Sequence, residues 1–341
     1  MRAGGLPLTR PTRLPAESDA STEPPPQPLN QRGVGRLILR VVAGAALLTL
    51  VVWYADPGAL WSKLSRAEPG LVVLAVILSI TANTLSALRW GVIARGLDLI
   101  APSARLVVIY ARGITTNMLL PGATLSGDLL RSVQLSRLGN PFVASALSVF
   151  LDRFSGLWVL CLLSLLAATG VALWGAGGHG IHAIPNQMKV YLLILAGIAA
   201  VPFIPLPFGW LERFNVAWVA ALASRWERLR GRLRQARPAL LASVWQSLGV
   251  QFLSACTLWI CGLALGVSLS YPAMLAAAAP IFIMAALPIG VAGFGTRELA
   301  AVVVLGLAGV PSDLAAATSL LYGLAAVVQG ILAAPLFLVR P

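Results

Sequence analysis

The sequence comprises 341 residues, of which 58% are hydrophobic and 11% are charged, and its formal net charge is +13. A soluble globular domain contains about 25% charged residues, so this chain has too few charges to cover a surface in water. The composition excludes a soluble enzyme, an intrinsically disordered chain and a nucleic-acid-binding domain. Because the arginines lie between long apolar runs, we interpret the positive charge as a determinant of membrane topology. The sequence therefore predicts an integral membrane protein with no nucleic-acid partner.

The first segment of the chain, residues 1–36, contains seven prolines and almost no apolar periodicity. Such a segment cannot bury enough apolar surface to offset the entropy lost on ordering, so we predict a disordered cytoplasmic tail. The apolar run that follows is predicted to be retained as a membrane anchor. Residues 37–341 are then predicted to form one transmembrane domain.

About six apolar runs are long enough for full membrane spans at roughly 20 residues per helix. They cover residues 37–54, 71–93, 143–174, 188–208, 240–269 and 314–339. Arg89 and Trp90 lie near the end of the second run. We interpret them as residues of the membrane–water interface, where cations and indoles are common.

Two further apolar regions, 104–140 and 272–309, are interrupted by helix-breaking residues. These residues are Pro121, Gly122 and Gly127 in the first region and Pro288, Gly290, Gly293 and Gly295 in the second. A broken helix leaves backbone polar groups that survive in a membrane only inside protein or beside a water-filled cavity. The helix that begins after each break would direct its positive end at that cavity, which favours anions. The alternative is a pair of kinks that neighbouring helices relieve.

Residues 209–238 carry apolar side chains at steps of three or four and seven arginines from Arg213 to Arg237. This pattern predicts a basic amphipathic helix that lies in the headgroup plane. The alternative is a helix that docks a partner protein, such as a cytoplasmic synthase.

The arginines also predict the topology, because positively charged loops stay in the cytoplasm. The tail and the segment 209–238 are both cytoplasmic if each broken region enters and leaves on the same side. The first region then enters from the cytoplasm and the second from outside, as in inverted-repeat transporters. The predicted fold is thus an all-α polytopic membrane bundle of about six full spans with two Pro/Gly-broken helical hairpins in inverted orientation. Whether the hairpins re-enter or cross completely stays open, and both termini are expected to be cytoplasmic.

The two broken regions resemble each other in sequence. Leu120-Pro121 and Leu287-Pro288 are 167 residues apart, and each pair is followed by glycines, an acid and an arginine. The acids and arginines of these regions are Asp128, Arg131, Arg297 and Glu298. The similarity indicates a duplication, although chance in a chain rich in glycine and proline is the alternative.

Asp152 and Arg153 lie about 15 Å into the span 143–174, where each charge costs on the order of 2.5–3.5 kcal/mol. We expect each to have a partner elsewhere. Arg153 can reach Asp128 or Glu298, and Asp152 can reach Arg131 or Arg297. Such a cluster could bind a lipid phosphate through its arginines. The alternative is an ion-pair network that only holds the bundle together.

No cofactor, metal ion or catalytic residue is expected. His179 and His182 lie in a glycine-rich loop without a third ligand, which argues against a zinc site. Ser126 and Thr296 have no histidine nearby, which argues against a serine or threonine nucleophile. The absence of a Walker motif excludes ATP-driven pumping by this chain alone.

Three motifs in this order resemble the lysylphosphatidylglycerol synthase transmembrane-region family, whose flippase-like domain also occurs as stand-alone proteins. They are Leu119-Leu120-Pro121-Gly122 with Gly127-Asp128-Leu129-Leu130-Arg131, then Leu151-Asp152-Arg153-Phe154-Ser155-Gly156-Leu157, then Leu287-Pro288 with Gly293-Phe294-Gly295-Thr296-Arg297-Glu298. The resemblance covers residues 35–340. Ser126-Gly127-Asp128 stands where the family usually has Gly-Gly-Asp, and Asp152 stands where it usually has Glu.

The resemblance implies a multi-pass protein of the cell inner membrane that moves a phospholipid or lipid-linked intermediate between leaflets. Its partners would be an anionic phospholipid or a polyprenyl-linked lipid. Fused members carry a soluble lysyl-transfer domain after the membrane region, whereas this sequence ends at Pro341, so we expect no lysyltransferase activity. The alternative is a membrane enzyme or an accessory scaffold in lipid-linked sugar, hopanoid or aminoacyl-lipid synthesis.

Overall fold

A computed structural model describes residues 57–119, 125–175, 186–201, 234–287 and 293–338, together with Thr49, Trp53 and Gly231. The predicted tail, most of the span 37–54, the histidine-bearing loop and most of the predicted amphipathic helix 209–238 lie outside these residues. Those predictions therefore stay predictions. Pro121, Gly122, Pro288 and Gly290 also lie outside the described residues.

The described chain folds into α-helices. The helices are α1 (Pro57–Ser65), α2 (Pro69–Gly96), α3 (Ser103–Leu119), α4 (Leu125–Ser136), α5 (Phe142–Gly175), α6 (Asn186–Ala200), α7 (Arg237–Ala264), α8 (Tyr271–Ala286), α9 (Thr296–Leu307) and α10 (Ser312–Ala333), and a 3₁₀ turn follows at Ala334–Leu338. Prolines stand at the first or second position of α2, α7 and α8, where the missing N–H costs nothing. The all-α fold class predicted from composition and periodicity is confirmed.

Four of these helices, α2, α5, α7 and α10, are long and apolar enough to cross a membrane. Each covers a predicted span and differs from it by a few residues at the ends. Helix α6 is apolar but has only 15 residues, and the remainder of the predicted span 188–208 beyond Val201 lies outside the described residues. The structure is that of a helical membrane bundle, as predicted.

The two broken regions form helical hairpins. In the first, α3 packs on α4, and in the second, α8 packs on α9. The outer ends of the first hairpin are joined by Asn140, whose side chain accepts from the Ile100 N–H at 2.7 Å and donates to the Ile100 carbonyl at 2.9 Å. The 12-residue helices α4 and α9 are about 18 Å long, well short of the ~30 Å apolar core of a bilayer. Each hairpin therefore returns to the end of the bundle from which it started.

The described helices form two repeat units, α2 to α5 and α7 to α10. Corresponding first residues are 168 apart for α2 and α7 (Pro69 and Arg237) and 168 apart for α3 and α8 (Ser103 and Tyr271). The packing follows the same correspondence, because α3 contacts α10 as α8 contacts α5, and α2 contacts α10 as α7 contacts α5. The sequence similarity around the two Leu-Pro pairs is therefore part of a duplication of the whole four-helix unit.

Even the helix ends repeat. Asp98 after α2 has φ 59° and Gly266 after α7 has φ 84°, and these residues are 168 apart. In both turns the next residue donates back into the helix, Leu99 N–H to the Ala94 carbonyl and Val267 N–H to the Gly262 carbonyl. The left-handed backbone favours glycine or aspartate at this position. Equivalent turns thus end equivalent helices.

The two units run in opposite directions. Helix α2 packs along the whole of α7, and the contacts show that the two are antiparallel. The N–H of Glu68 donates to the Ala264 carbonyl at 3.0 Å, whereas Gly96, at the other end of α2, lies against Ala239. Equivalent helices that are antiparallel make the units an inverted repeat, in agreement with the prediction.

We name the two ends of the bundle by their composition. The basic end holds the outer ends of the first hairpin and the first turn of α7, and its charged side chains are Arg95, Asp98, Arg105, Arg137, Arg234 and Arg237. The opposite end holds the outer ends of the second hairpin and the start of α2, and its charged side chains are Lys63, Arg66, Glu68, Lys189 and Asp313.

Candidate functional site

The candidate site is a charged cluster, Arg89, Asp128, Arg131, Asp152 and Arg153, formed by α2, α4 and α5. Asp152 lies ten residues after the start of α5 and Arg89 seven residues before the end of α2. These offsets place the cluster about 10–15 Å from the basic end of the bundle. The charged residues of the first broken region and of the third span are therefore brought together inside the bundle.

Asp152 is the centre of the charged cluster and is completely buried. One carboxylate oxygen accepts from Nη2 of Arg131 at 2.7 Å, and the other accepts from Nε of Arg89 at 2.9 Å. Arg89 also donates to the Asp152 carbonyl and to the Ser247 hydroxyl of α7. Because both oxygens are bonded to arginines, a charged Asp152 is compensated where an isolated carboxylate would be very costly.

Arg131 lies between two aromatic rings, with its guanidinium carbon 4.3 Å from the ring centre of Trp90 and 4.3 Å from that of Tyr110. Cation–π contacts of this kind strengthen when the cation is desolvated, and Arg131 is only 2% exposed. Its Nε has no hydrogen-bond partner. Space for its stem comes from Gly113, where a Cβ would stand 3.2 Å from Cγ of Arg131.

Arg153 and Asp128 form the accessible part of the charged cluster. Nε and Nη2 of Arg153 donate to Asp128 at 2.8–3.1 Å. The Arg153 side chain is 36% exposed and that of Asp128 16%. Exposed apolar residues surround the pair, namely Leu129, Phe150 and Phe154. The accessible part of the cluster therefore lies next to apolar side chains of α4 and α5 that would face lipid.

The first turn of α4 is held by Asn117 of α3. Its side-chain oxygen accepts from the Gly127 N–H at 2.7 Å and from the Ser126 hydroxyl at 3.2 Å. Gly127 permits this close approach, because a Cβ there would stand 2.3 Å from the Gly113 carbonyl oxygen. The positive end of α4 is thus fixed beside Asp128. An acidic residue in the first turn of a helix interacts favourably with the helix dipole.

Arg297 and Glu298 form a separate pair at the start of α9. The Glu298 carboxylate accepts from Arg297 at 2.8 Å, from the Ser319 hydroxyl at 3.1 Å and from the Gly295 N–H at 2.6 Å. Both side chains are buried, at 4% and 0% exposure. Gly323 of α10 provides the space, since a Cβ there would stand 2.0 Å from Nη2 of Arg297. This buried pair connects the second hairpin to α10.

The pairing decides between the alternatives that the sequence left open. Arg153 meets Asp128 and not Glu298, and Asp152 meets Arg131 and not Arg297. Within the described ranges no ion pair joins the charged cluster to the Arg297–Glu298 pair. The six predicted site residues are therefore divided between two places, of which only the charged cluster is accessible.

The prediction for Arg89, a member of the charged cluster, was wrong. Arg89 was expected at the membrane interface, but it is 4% exposed and bonded to Asp152. Helix α2 continues for seven residues beyond it with Val92, Ile93 and Ala94, and this apolar continuation was the available signal. Asn117, which fixes α4, was not singled out either, because a lone asparagine in a helix carries no recognisable pattern.

The charged cluster contains three arginines and two aspartates, so its ion-paired groups have one positive charge in excess. Arginine-rich surroundings suit an anion and not a metal ion. In the part of the chain that the structure describes, no three potential metal-ligating side chains lie together. The chemistry that this site can perform is the binding of an anionic group.

The fold and site define a polytopic helical membrane protein built from inverted repeats around a buried charged cluster. The family model described as the lysylphosphatidylglycerol synthase TM region matches residues 37–334, and the chain belongs to this family. The family predicted from the three motifs is confirmed.

Two curated relatives are both described as UPF0104 membrane protein and come from Methanothermobacter thermautotrophicus (strain ATCC 29096 / DSM 1053 / JCM 10044 / NBRC 100330 / Delta H). One is 25% identical over 214 residues, which is 61% of this chain and 61% of the relative. The other is 25% identical over 311 residues, which is 83% of this chain and 87% of the relative. The first match thus spans less than two thirds of the relative's length. Membership of the family places this chain among membrane proteins of lipid metabolism.

Proposed function

We propose that this protein translocates an anionic phospholipid or lipid-linked intermediate between the two leaflets of the membrane. The observation that carries the proposal is the Arg153–Asp128 ion pair, which is partly exposed among apolar side chains well inside the bundle. A charged pair in contact with hydrocarbon is costly. Binding of a charged lipid headgroup at this site would explain why the pair is exposed.

The proposed binding step is an exchange of partners. A lipid phosphate would enter between α4 and α5 and take the place of the Asp128 carboxylate on Arg153. The excess positive charge of the cluster and the positive end of α4 both favour the anion. The lipid chains would remain against Leu129, Phe150 and Phe154 while the headgroup is inside.

The inverted repeat supplies a route for release. The first hairpin begins and ends at the basic end, and the second at the opposite end. The helices that follow the two breaks, α4 and α9, therefore begin inside the bundle and run to opposite ends. We propose that the headgroup passes between these two helix starts. Inverted repeats of this kind support movements that open a site to one side at a time.

The charges of the basic end bear on the location and the partners of the protein. The basic end carries five arginines and one aspartate among the described residues, and by the positive-inside rule this charge supports a cytoplasmic position for that end. We propose a cell inner-membrane protein with cytoplasmic termini that acts without enzymatic chemistry. The charged cluster and these arginines make an anionic lipid the favoured partner.

An enzyme of lipid-linked headgroup transfer is the competing proposal. It would need an accessible acid as a base, and Asp128 is the one that the site offers, because Glu298 and Asp152 are buried and bonded. An accessory role for a cytoplasmic synthase would depend on residues 209–238. No described contact favours either proposal over lipid movement.

The test is leaflet exchange of fluorescent phosphatidylglycerol in proteoliposomes. The wild-type protein should accelerate exchange, and Arg153→Ala should lose most of the acceleration. Arg137→Ala is the matched control, since it removes an exposed arginine of the basic end and should exchange at the wild-type rate. Both variants must elute as folded protein.

Two results would oppose the proposal. One is exchange by Arg153→Ala at the wild-type rate. The other is a wild-type protein that moves neither phosphatidylglycerol nor a polyprenyl phosphate. Formation of a new labelled lipid without any exchange would favour the enzyme proposal.

A further inference from the structure

A cavity of about 290 Å³ lies at the opposite end of the bundle, away from the charged cluster. It is formed by α5, α6, α8 and α9. Its lining is almost entirely apolar and includes Ala168, Tyr191, Ala276, Ala277, Val304 and Leu307. Among the described lining residues Tyr191 has a phenol, and it donates its hydroxyl proton to the Ala276 carbonyl. The cavity therefore presents hydrocarbon groups to whatever occupies it.

Larger side chains occupy the corresponding positions of the first repeat unit. Ala277 is the seventh residue of α8, and the seventh residue of α3 is Ile109. The next positions are Ala278 and Tyr110. Ile109 is completely buried and packs with Leu106 and Leu135 in the first unit. The second unit has alanine at both positions, and of these two alanines Ala277 lines the cavity.

Protein interiors are close-packed, and the walls of an empty space lose their dispersion contacts. The helices that form this cavity expose apolar side chains on their outer surfaces, such as Val190, Val303 and Leu307. In a membrane these surfaces touch lipid chains. Hydrocarbon is thus the medium that can reach the cavity from the side.

The polar groups around the cavity are at its outer end. Gln187 is part of the lining and stands in the first turn of α6. Ala273 lies in the first turn of α8, so the cavity begins near the helix ends and extends inward. An apolar space with the Gln187 amide at its mouth matches a lipid with a polar headgroup.

We propose that this cavity binds one hydrocarbon chain of a membrane lipid, with the headgroup beside Gln187. The chain can be a fatty acyl chain or an isoprenoid chain, because both present the same methylene and methyl groups. This site is separate from the charged cluster and does not depend on lipid translocation.

The experiment is native mass spectrometry of the full chain after delipidation and addition of a defined lipid. The two probes are dioleoyl phosphatidylglycerol and geranylgeranyl phosphate. Ala277→Leu should weaken retention of the bound probe roughly tenfold, because the leucine takes the place of about two methylene groups of the chain. All variants are also measured with Arg153→Ala added, so that lipid held by the charged cluster does not contribute.

The matched control is Gly306→Leu on α9. A side chain at Gly306 meets nothing within 4 Å, so this variant adds the same leucine outside the cavity and should retain the probe as the wild type does. Retention of phosphatidylglycerol alone would identify an acyl-chain site, and retention of geranylgeranyl phosphate alone an isoprenoid site. Retention of neither probe, or equal retention by Ala277→Leu and Gly306→Leu, would overturn the proposal. An unchanged melting temperature of Ala277→Leu would show that its loss of lipid is not a loss of fold.

Discussion

Arg89 of α2 donates to both the carboxylate and the backbone carbonyl of Asp152 in α5, 63 residues further along the chain. The same guanidinium donates to Ser247 of α7. One side chain therefore connects the first and last helices of one repeat unit with the first helix of the other. Arg89 is also one of the two arginines that compensate the negative charge of the buried Asp152.

Replacing Arg89 by methionine should strongly destabilise the protein. Removal of one partner from a buried ion pair typically costs about 3–5 kcal/mol, since the other charge stays buried. The measurement is the apparent melting temperature in detergent. Arg95→Met is the control, because Arg95 is exposed and donates to the Ala101 carbonyl and to the hydroxyl of Ser103 at the start of α3. Equal melting temperatures for the two variants would contradict the structural role of Arg89.

Asp128→Asn should change lipid exchange more than stability. The substitution removes one negative charge from the accessible part of the cluster. The net charge of the whole charged cluster then rises from +1 to +2. Anionic lipid should bind more tightly and leave more slowly, so steady-state exchange should fall while retention of phosphatidylglycerol increases. Exchange assays and native mass spectrometry of the same preparation measure both. A variant that binds less lipid than the wild type would show that Asp128 does not compete with the anion.

Gly323→Ala should loosen the second hairpin. Its new methyl group would stand 2.0 Å from Nη2 of Arg297, and overpacking of this kind usually costs about 1–3 kcal/mol. Gly197→Ala on α6 is the matched control, because a Cβ there meets nothing within 4 Å and alanine is the better helix former by up to about 1 kcal/mol. Thermal unfolding should rank Gly323→Ala below the wild type and Gly197→Ala at or above it. If Gly323→Ala were more stable than Gly197→Ala, the close approach of Arg297 to Gly323 would be contradicted.

Opposite labelling of the two ends would test the orientation. Arg137→Cys lies at the basic end and Lys63→Cys at the opposite end. In intact cells a membrane-impermeant maleimide should label Lys63→Cys, whereas Arg137→Cys should react only after the membrane is opened. The native cysteines serve as the baseline, since Cys161 and Cys261 are buried and Cys256 is half-buried. Labelling of both variants from outside would contradict the inverted topology.

Much of the architecture could be predicted from patterns that the chain carries locally. Long apolar runs predict spanning helices because a bilayer admits only backbone that is internally bonded. The two Leu-Pro segments predicted the hairpins because proline together with several nearby glycines disfavours continuation of a helix. The charges of Asp152 and Arg153 within an apolar run predicted a buried cluster, since each needs a partner in such surroundings.

The partners themselves could not be predicted in the same way. The sequence allowed Arg153 to meet either Asp128 or Glu298, and the choice depends on how α4 and α9 lie against α5 and α10. Arg89 was taken for an interfacial residue because its burial comes from α5 and α7, which are distant in sequence. The Arg297–Glu298 pair forms between neighbours on one helix turn only because Gly323 and Ser319 of α10 shape the space around it.

The sequence by itself determined that this is a helical membrane protein with two broken hairpins of opposite direction, because hydropathy, helix breakers and arginine position act locally. The tertiary structure alone decided which arginine meets which acid. It also decided that the first unit's cluster is partly exposed while the second unit's pair is buried. The physical reason is that burial and ion pairing are properties of packed helices, and residues far apart in the chain determine that packing.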